Sequence, residues 1–201
     1  MSFAPVDGAR AGMLTPSSNT VLEPYTSAMF APFGDEASAH FGRFRVVEIS
    51  MSDASQTQFQ HDPILDAARR LAEALPRVIA WNGTSASWLG LDKDLALCAA
   101  IEAETGVRAT STVLAYDKIL RAMKARRIGL VTPYLDEIQH RIIANYADQG
   151  IEVVAEERLG DKGNYSFATY PAEQVGAMTR SAAKARPDAI VIMCTNLRGA
   201  P

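Results

Sequence analysis

The chain has little of what several large function classes require. Two cysteines in 201 residues are too few for a disulfide framework, and they predict free thiols in a reducing compartment. The three histidines, His40, His61 and His140, share no metal-ligand spacing with one another or with either cysteine, which argues against a metal centre. No Gly-x-Gly-x-x-Gly or P-loop pattern follows an apolar run, so neither a dinucleotide nor ATP is expected. No apolar stretch approaches the roughly 18 residues of a membrane span, and Met1 to Arg10 lacks a basic segment followed by an apolar one. The expected location is the cytoplasm, away from membranes. A net charge of −3, without a cluster of Lys and Arg interleaved with aromatics, leaves no footprint for nucleic acid. Small molecules are the expected partners.

What is present is enough apolar material for one large or two small domains, since 48% of the residues are hydrophobic and 21% charged. Ala189-Ile190-Val191-Ile192-Met193-Cys194-Thr195-Asn196 is an apolar run that stops at a thiol and two small polar residues. It reads as a buried parallel strand delivering Cys194 to its carboxyl end, where open α/β sheets place ligands. The same pattern occurs earlier in Val78-Ile79-Ala80-Trp81-Asn82-Gly83-Thr84-Ser85, and Pro76 stands to that run as Pro187 stands to the later one. In this alignment Gly83 takes the place of Cys194.

The spacing of Gly12 and Pro16 is repeated by Gly129 and Pro133, which predicts an internal duplication. Residues 1–112 form the first α/β half and 113–201 the second, and strands alternating with helices imply parallel sheets joined by right-handed crossovers. Strands are expected over Arg10–Thr15, within Arg43–Ser50, over Pro76–Gly83, Val107–Thr112, Arg127–Tyr134 and Ile151–Ala155, and at Cys194. Met51 to Asp62 reads as polar loop, and Asp62-Pro63 as an N-cap and first turn of a helix running to about Leu75. Thr84–Gly90 reads as loop. In the second half nothing follows Cys194 to match the helix and strand that follow Gly83, so the chain is expected to be truncated.

A thiolate rather than a thiol does nucleophilic or basic work, and its pKa falls near helix N-termini and hydrogen-bond donors. Cys194, at a strand end before a loop, fits such a setting; a buried structural cysteine is the alternative. Cys98 shares a helix face with Leu95, Leu97 and Ile101 and reads as packing. Gly83-Thr84-Ser85 offers amides and two hydroxyls suited to a carboxylate or an enediolate oxyanion; an ordinary Gly-Ser turn is the alternative. Pro16-Ser17-Ser18-Asn19 and Pro133-Tyr134 sit at equivalent strand ends, so four loops should converge on one cleft. Tyr134 is there either as a phenol donor or as a surface aromatic, and Asn164 either as part of a lid or as a turn residue.

Together, Pro16-Ser17-Ser18-Asn19-Thr20, Gly83-Thr84-Ser85, Val131-Thr132-Pro133-Tyr134 and Cys194-Thr195 resemble the maleate cis-trans isomerase and arylmalonate decarboxylase group of the aspartate/glutamate racemase superfamily. The similarity runs from Arg10 to Pro201. It implies two similar α/β halves around a cofactor-free site, cysteines at both pseudo-symmetric strand ends in racemases and isomerases, and assembly into a dimer or larger oligomer. Substrate would be a small mono- or dicarboxylate. Here Cys194 matches the second cysteine, and Gly83 replaces the first.

That departure favours a decarboxylase resembling the single-cysteine members, in which one thiol protonates an enediolate. The resemblance assigns Cys194, Thr84, Ser85 and Tyr134 to catalysis and Ser17, Asn19, Gly83, Asn164 and Thr195 to substrate binding. Trp88, Leu89 and Phe167 would set selectivity. Isomerase or racemase activity is the alternative within the fold, and a carboxylate-binding protein without catalysis the alternative outside enzymes.

Overall fold

The computed structural model describes residues 8–46, 48–49 and 61–200. Its strands and helices form two parallel sheets in sequence. The first contains β1 (Ala9–Pro16), β2 (Ala37–Phe44), β3 (Val78–Trp81) and β4 (Ala109–Ser111) in the order β2-β1-β3-β4. The second contains β5 (Arg127–Thr132), β6 (Glu152–Arg158) and β7 (Ala189–Ile192) in the order β6-β5-β7. Every ladder is parallel, and the connections carry helices: α1 (Leu22–Phe30), α2 (His61–Ala72), α3 (Ala86–Leu89), α4 (Leu91–Thr105), α5 (Thr112–Met123), α6 (Asp136–Asp148) and α7 (Ala172–Ala183). This is the two-sheet α/β architecture that the alternating pattern predicts. β5 shows why: five of its six residues are buried, as a central parallel strand covered on both faces requires.

The duplication is visible in packing. A Cβ added to Gly12 would meet Ile79, Pro76 and Leu71, and one added to Gly129 would meet Ile190, Pro187 and Ala182. Each glycine lets the first strand of its half lie close to the third strand and to the preceding helix. The two sets fall in register with the alignment of Gly83 on Cys194.

Local signals bound two of the helices. Gly106 closes α4 in the left-handed region at φ 68°, its N–H donating to Glu102 O. The Ser111 hydroxyl accepts from Leu114 N and caps α5.

Three expectations are corrected. The second strand is Ala37–Phe44 rather than within Arg43–Ser50; Ala37, Ser38 and Ala39 carry no β-branched signature, and the segment is a strand because β1 supplies a full register from Ala9↔Ala37 to Pro16↔Phe44. Thr84–Gly90 contains the short helix α3. Finally, α2 stops at Ala72, and Leu75 lies beyond it, exposed and with φ of 51°. Of the expected polar loop, residues 51–60 lie outside the described residues. Among those described, no helix is long and apolar enough to cross a membrane.

The core runs through both halves. Leu14, Ile79, Trp81 and Ile101 belong to the same buried cluster as Ile128, Leu130, Ile138, Phe167 and Met193, so the sheets share an apolar interior and leave their strand ends facing one cleft.

Candidate active site

Cys194 lies two residues past β7. Met193 N still donates to Val131 O at 2.9 Å, but Cys194 N turns back to Ile192 O at 3.1 Å, and the strand ends there. The turn leaves the thiol only 9% exposed, with Asn196 N 3.4 Å from Sγ. Burial pushes the thiol up to about 11, and the amides of Asn196 and Leu197 and the Tyr134 phenol offset only part of that rise. At neutral pH it is a thiol rather than a thiolate.

Across the cleft, Thr84 and Ser85 precede α3 and are both buried. The Thr84 hydroxyl and the Tyr134 phenol are 2.6 Å apart, and the phenol also reaches Cys194. A chain of three groups thus joins the first half to the second: Thr84, Tyr134, Cys194. Burial holds the Tyr134 phenol well above its ordinary value, so it remains a donor. Trp88 and Phe167 pack edge-on against its ring, with centroids at 5.2 Å and 5.7 Å.

The remaining expected residues divide into two groups. Gly83, Asn164 and Thr195 line the same narrow cleft as Cys194, Thr84, Ser85 and Tyr134. Ser17 and Asn19 do not line it. The Ser17 hydroxyl takes Val46 N at 3.1 Å, and the Asn19 carbonyl takes Val21 N and Leu22 N at the start of α1. The Asn19 amide then donates to Thr195 Oγ1 at 3.1 Å, and Thr195 donates onward to Asn82 O at 2.8 Å. Asn164 is tied down through Ser18 at 2.8 Å.

The cleft holds about 20 Å³, room for about one water. Two segments that contribute to its lining are joined: Glu48 pairs with Gly163, and Ile49 N donates to Lys162 O at 2.8 Å. Cys194 and Thr195 also form part of the wall of a wider apolar depression of about 400 Å³ against α1. Cys98 lies elsewhere, buried on α4, with its thiol pushed up to about 12 by burial and by Asp94. Among the described residues, no group of three His, Cys, Asp or Glu side chains could hold a metal ion.

The family model for arylmalonate decarboxylase matches residues 23–201. The chain belongs to that family. A maleate isomerase from Nocardia farcinica (strain IFM 10152) is 28% identical over 194 residues, spanning 92% of this chain and 75% of the relative. An arylmalonate decarboxylase from Bordetella bronchiseptica is 30% identical over 139 residues, spanning 68% of this chain and 58% of the relative. Among solved structures, a cysteine-to-serine variant of the Nocardia farcinica maleate cis-trans isomerase, bearing a covalently bound succinylcysteine intermediate, superposes with a TM-score of 0.85. That likeness is at 25% identity and covers 96% of this chain and 81% of that one. A crystal structure of arylmalonate decarboxylase shares the fold at a TM-score of 0.69 and 24% identity, covering 94% of this chain and 78% of that one. This arylmalonate decarboxylase family member is therefore an enzyme of a group that includes maleate isomerases and arylmalonate decarboxylases.

Sequence reasoning missed two residues at the site. Asn196, fully buried, accepts from Thr20 N and Val21 N and donates to Asn164 O, so one side chain fixes loops from both halves. Its position directly after Cys194-Thr195 was the available signal. Trp81 lines the cleft beside Gly83, yet in sequence it is one more apolar strand residue.

Proposed function

We propose that the enzyme decarboxylates a small malonate-type dicarboxylate through an enediolate that Cys194 protonates on one face. The observation that carries this reading is that the cleft is lined by one thiol, buried and held protonated, and by a glycine at the pseudo-symmetric strand end. Two-base racemisation asks for a thiolate as well as a thiol, and a group pushed up to about 11 is a poor base at neutral pH.

In this mechanism the bond from the α-carbon to the departing carboxylate breaks, CO2 leaves, and the electron pair enters the enediolate of the retained carboxyl. Amides and hydroxyls of Thr84 and Ser85 meet the oxygens on which that charge develops. Cys194 then gives its proton to the α-carbon. The Tyr134 phenol and the amides of Asn196 and Leu197 hold the resulting thiolate until water returns a proton. Gly83, Asn164 and Thr195 bind the substrate, while Ser17 and Asn19 act one step back, Asn19 by orienting Thr195.

Maleate isomerisation is the second reading, favoured by the 28% identity to the Nocardia farcinica maleate isomerase across 92% of this chain. Against it stands the succinylcysteine of the related structure, which needs a thiol as nucleophile; Cys194 would have to supply both nucleophile and proton.

The two readings separate in one tube. The protein is incubated in D2O with 2-methyl-2-phenylmalonate or with maleate and followed by proton NMR and chiral chromatography. The expected result is loss of CO2 and a single enantiomer of 2-phenylpropionate with deuterium at the α-carbon. Conversion of maleate to fumarate without turnover of the malonate would sink the decarboxylase reading.

A further inference from the structure

The space opposite Cys194 is filled. A Cβ on Gly83 would lie 1.8 Å from Trp81 Cζ2, 2.2 Å from Cη2 and 2.5 Å from Cε2. Those are ring atoms of a side chain 1% exposed, and the ring packs on Phe44 with centroids 5.0 Å apart. The indole cannot yield by a simple rotamer change without opening the core. By the internal alignment, the counterpart of Trp81 is Ile192, a smaller side chain two residues before Cys194. A cysteine has room in the second half and none in the first.

The indole is also held at its polar end. Asp94, in the first turns of α4 and 2% exposed, takes hydrogen bonds from Trp81 and Ser111. Among the described residues its Oδ2 has no hydrogen-bond partner. A buried carboxyl with one oxygen unmatched destabilises the fold, and a leucine of similar volume would avoid that cost. Its contribution is to fix the indole N–H, and with it the plane of the ring over Gly83.

We propose that Trp81, positioned by Asp94, is the specificity-determining residue that occupies the second acid-base position of the cleft and confines proton delivery to the Cys194 face. The inference rests on the decarboxylase reading. Gly83 is then not a vacant place for a second thiol, and a cysteine there becomes useful only after the ring is cut back.

The test compares the parent, Gly83→Cys, Trp81→Leu and the double variant. Thermal midpoint, alkylation at position 83 by peptide mass, and exchange and racemisation of one enantiomer of 2-phenylpropionate in D2O are read. Gly83→Cys alone should lower the midpoint by about 5 °C or more, with no racemisation. In the Trp81→Leu background the same change should cost little, the new thiol should alkylate, and racemisation should appear. There, one sulfur takes the α-proton as electrons enter the enediolate, the other gives a proton to the opposite face, and the next turnover reverses their roles.

Equal penalties in the two backgrounds, or racemisation by Gly83→Cys alone, would overturn the proposal. If the penalties differ as expected while the parent fails to decarboxylate the malonate, the ring's occupancy stands and the decarboxylase reading falls. Asp94 is tested in a Trp88→Phe background, which leaves Trp81 as the sole emitter of the chain's two tryptophans. Asp94→Leu should raise acrylamide quenching severalfold, and Asp94→Asn, which keeps an acceptor, should not. Matching quenching in both variants removes Asp94 from the proposal.

Discussion

Two stretches of the molecule, Trp81-Asn82-Gly83-Thr84-Ser85 and Ile192-Met193-Cys194-Thr195-Asn196, sit at the ends of corresponding strands. Both follow the third strand of a half, and both face the same cleft. Their chemistry is opposite: one ends in a protonated thiol and the other in a glycine under an indole. The difference comes from the distribution of bulk. Where the strand residue two places earlier is isoleucine, a side chain fits at the strand end; where it is tryptophan, only hydrogen does. Packing thus gives the two strand ends different room for a side chain, while the backbone frame stays common to both halves.

The comparison breaks hardest at the thiol. Cys194→Ser should lower kcat by about 10²–10⁴-fold, the range for a positioned proton donor, with KM little changed; a variant that retains parental turnover would show that the second half carries no special chemistry. In the parent, kcat should stay flat through neutral pH and fall only as pH rises toward 11, because the donor must keep its proton. A fall near pH 8 or 9 would contradict the buried thiol.

A smaller effect is expected at the bridge between the halves. Tyr134→Phe removes the phenol shared by Thr84 and Cys194 and leaves a buried hydroxyl unmatched. Turnover should fall about tenfold and stability by about 1 kcal/mol, while iodoacetamide labelling of Cys194 slows at fixed pH because the thiol loses a donor that lowered its pKa. Faster labelling would rule out that role.

Asp94 sharpens the comparison from the first half. Its carboxyl is pushed up to about 6 by burial, which the Ser111 and Trp81 hydrogen bonds only partly offset. The folded state therefore binds the proton more tightly than the unfolded chain, and stability falls as pH rises from about 4 through 6. Asp94→Asn should gain about 2–3 kcal/mol at pH 8 and almost nothing at pH 4, measured by urea unfolding. A gain independent of pH would refute the linkage.

The smallest expected effects test the shared frame. Gly12→Ala and Gly129→Ala each place a methyl 3.2–3.3 Å from their nearest neighbours, Ile79 in one case and Ala182 with Ile190 in the other. Each should cost about 1 kcal/mol, and melting curves that separate them widely would weaken the equivalence of the halves.

Much of the site could be read from residue order. Thr84, Ser85, Tyr134, Asn164, Thr195 and Cys194 follow apolar runs or turn signals, and strand ends are where α/β sheets gather ligands. Other parts were not legible. The strand at Ala37–Phe44 depends on its pairing with β1, a long-range contact that propensity does not encode. The bonds of Asn19 to the α1 backbone and to Thr195 were not legible either, because only the folded chain brings those partners near.

The order of residues by itself determined the family, the alternation of strands and helices, the duplication, and the pairing of Gly83 with Cys194, because these depend on local periodicity and on repeated spacing. Tertiary structure decided what that glycine means. Trp81 reads in sequence as one more apolar strand residue, and only packing against Phe44 and a hydrogen bond to Asp94 turn its ring over the Cα of Gly83. Close packing lets two atoms share no space, and that exclusion, which no linear pattern displays, leaves no room for a side chain at Gly83.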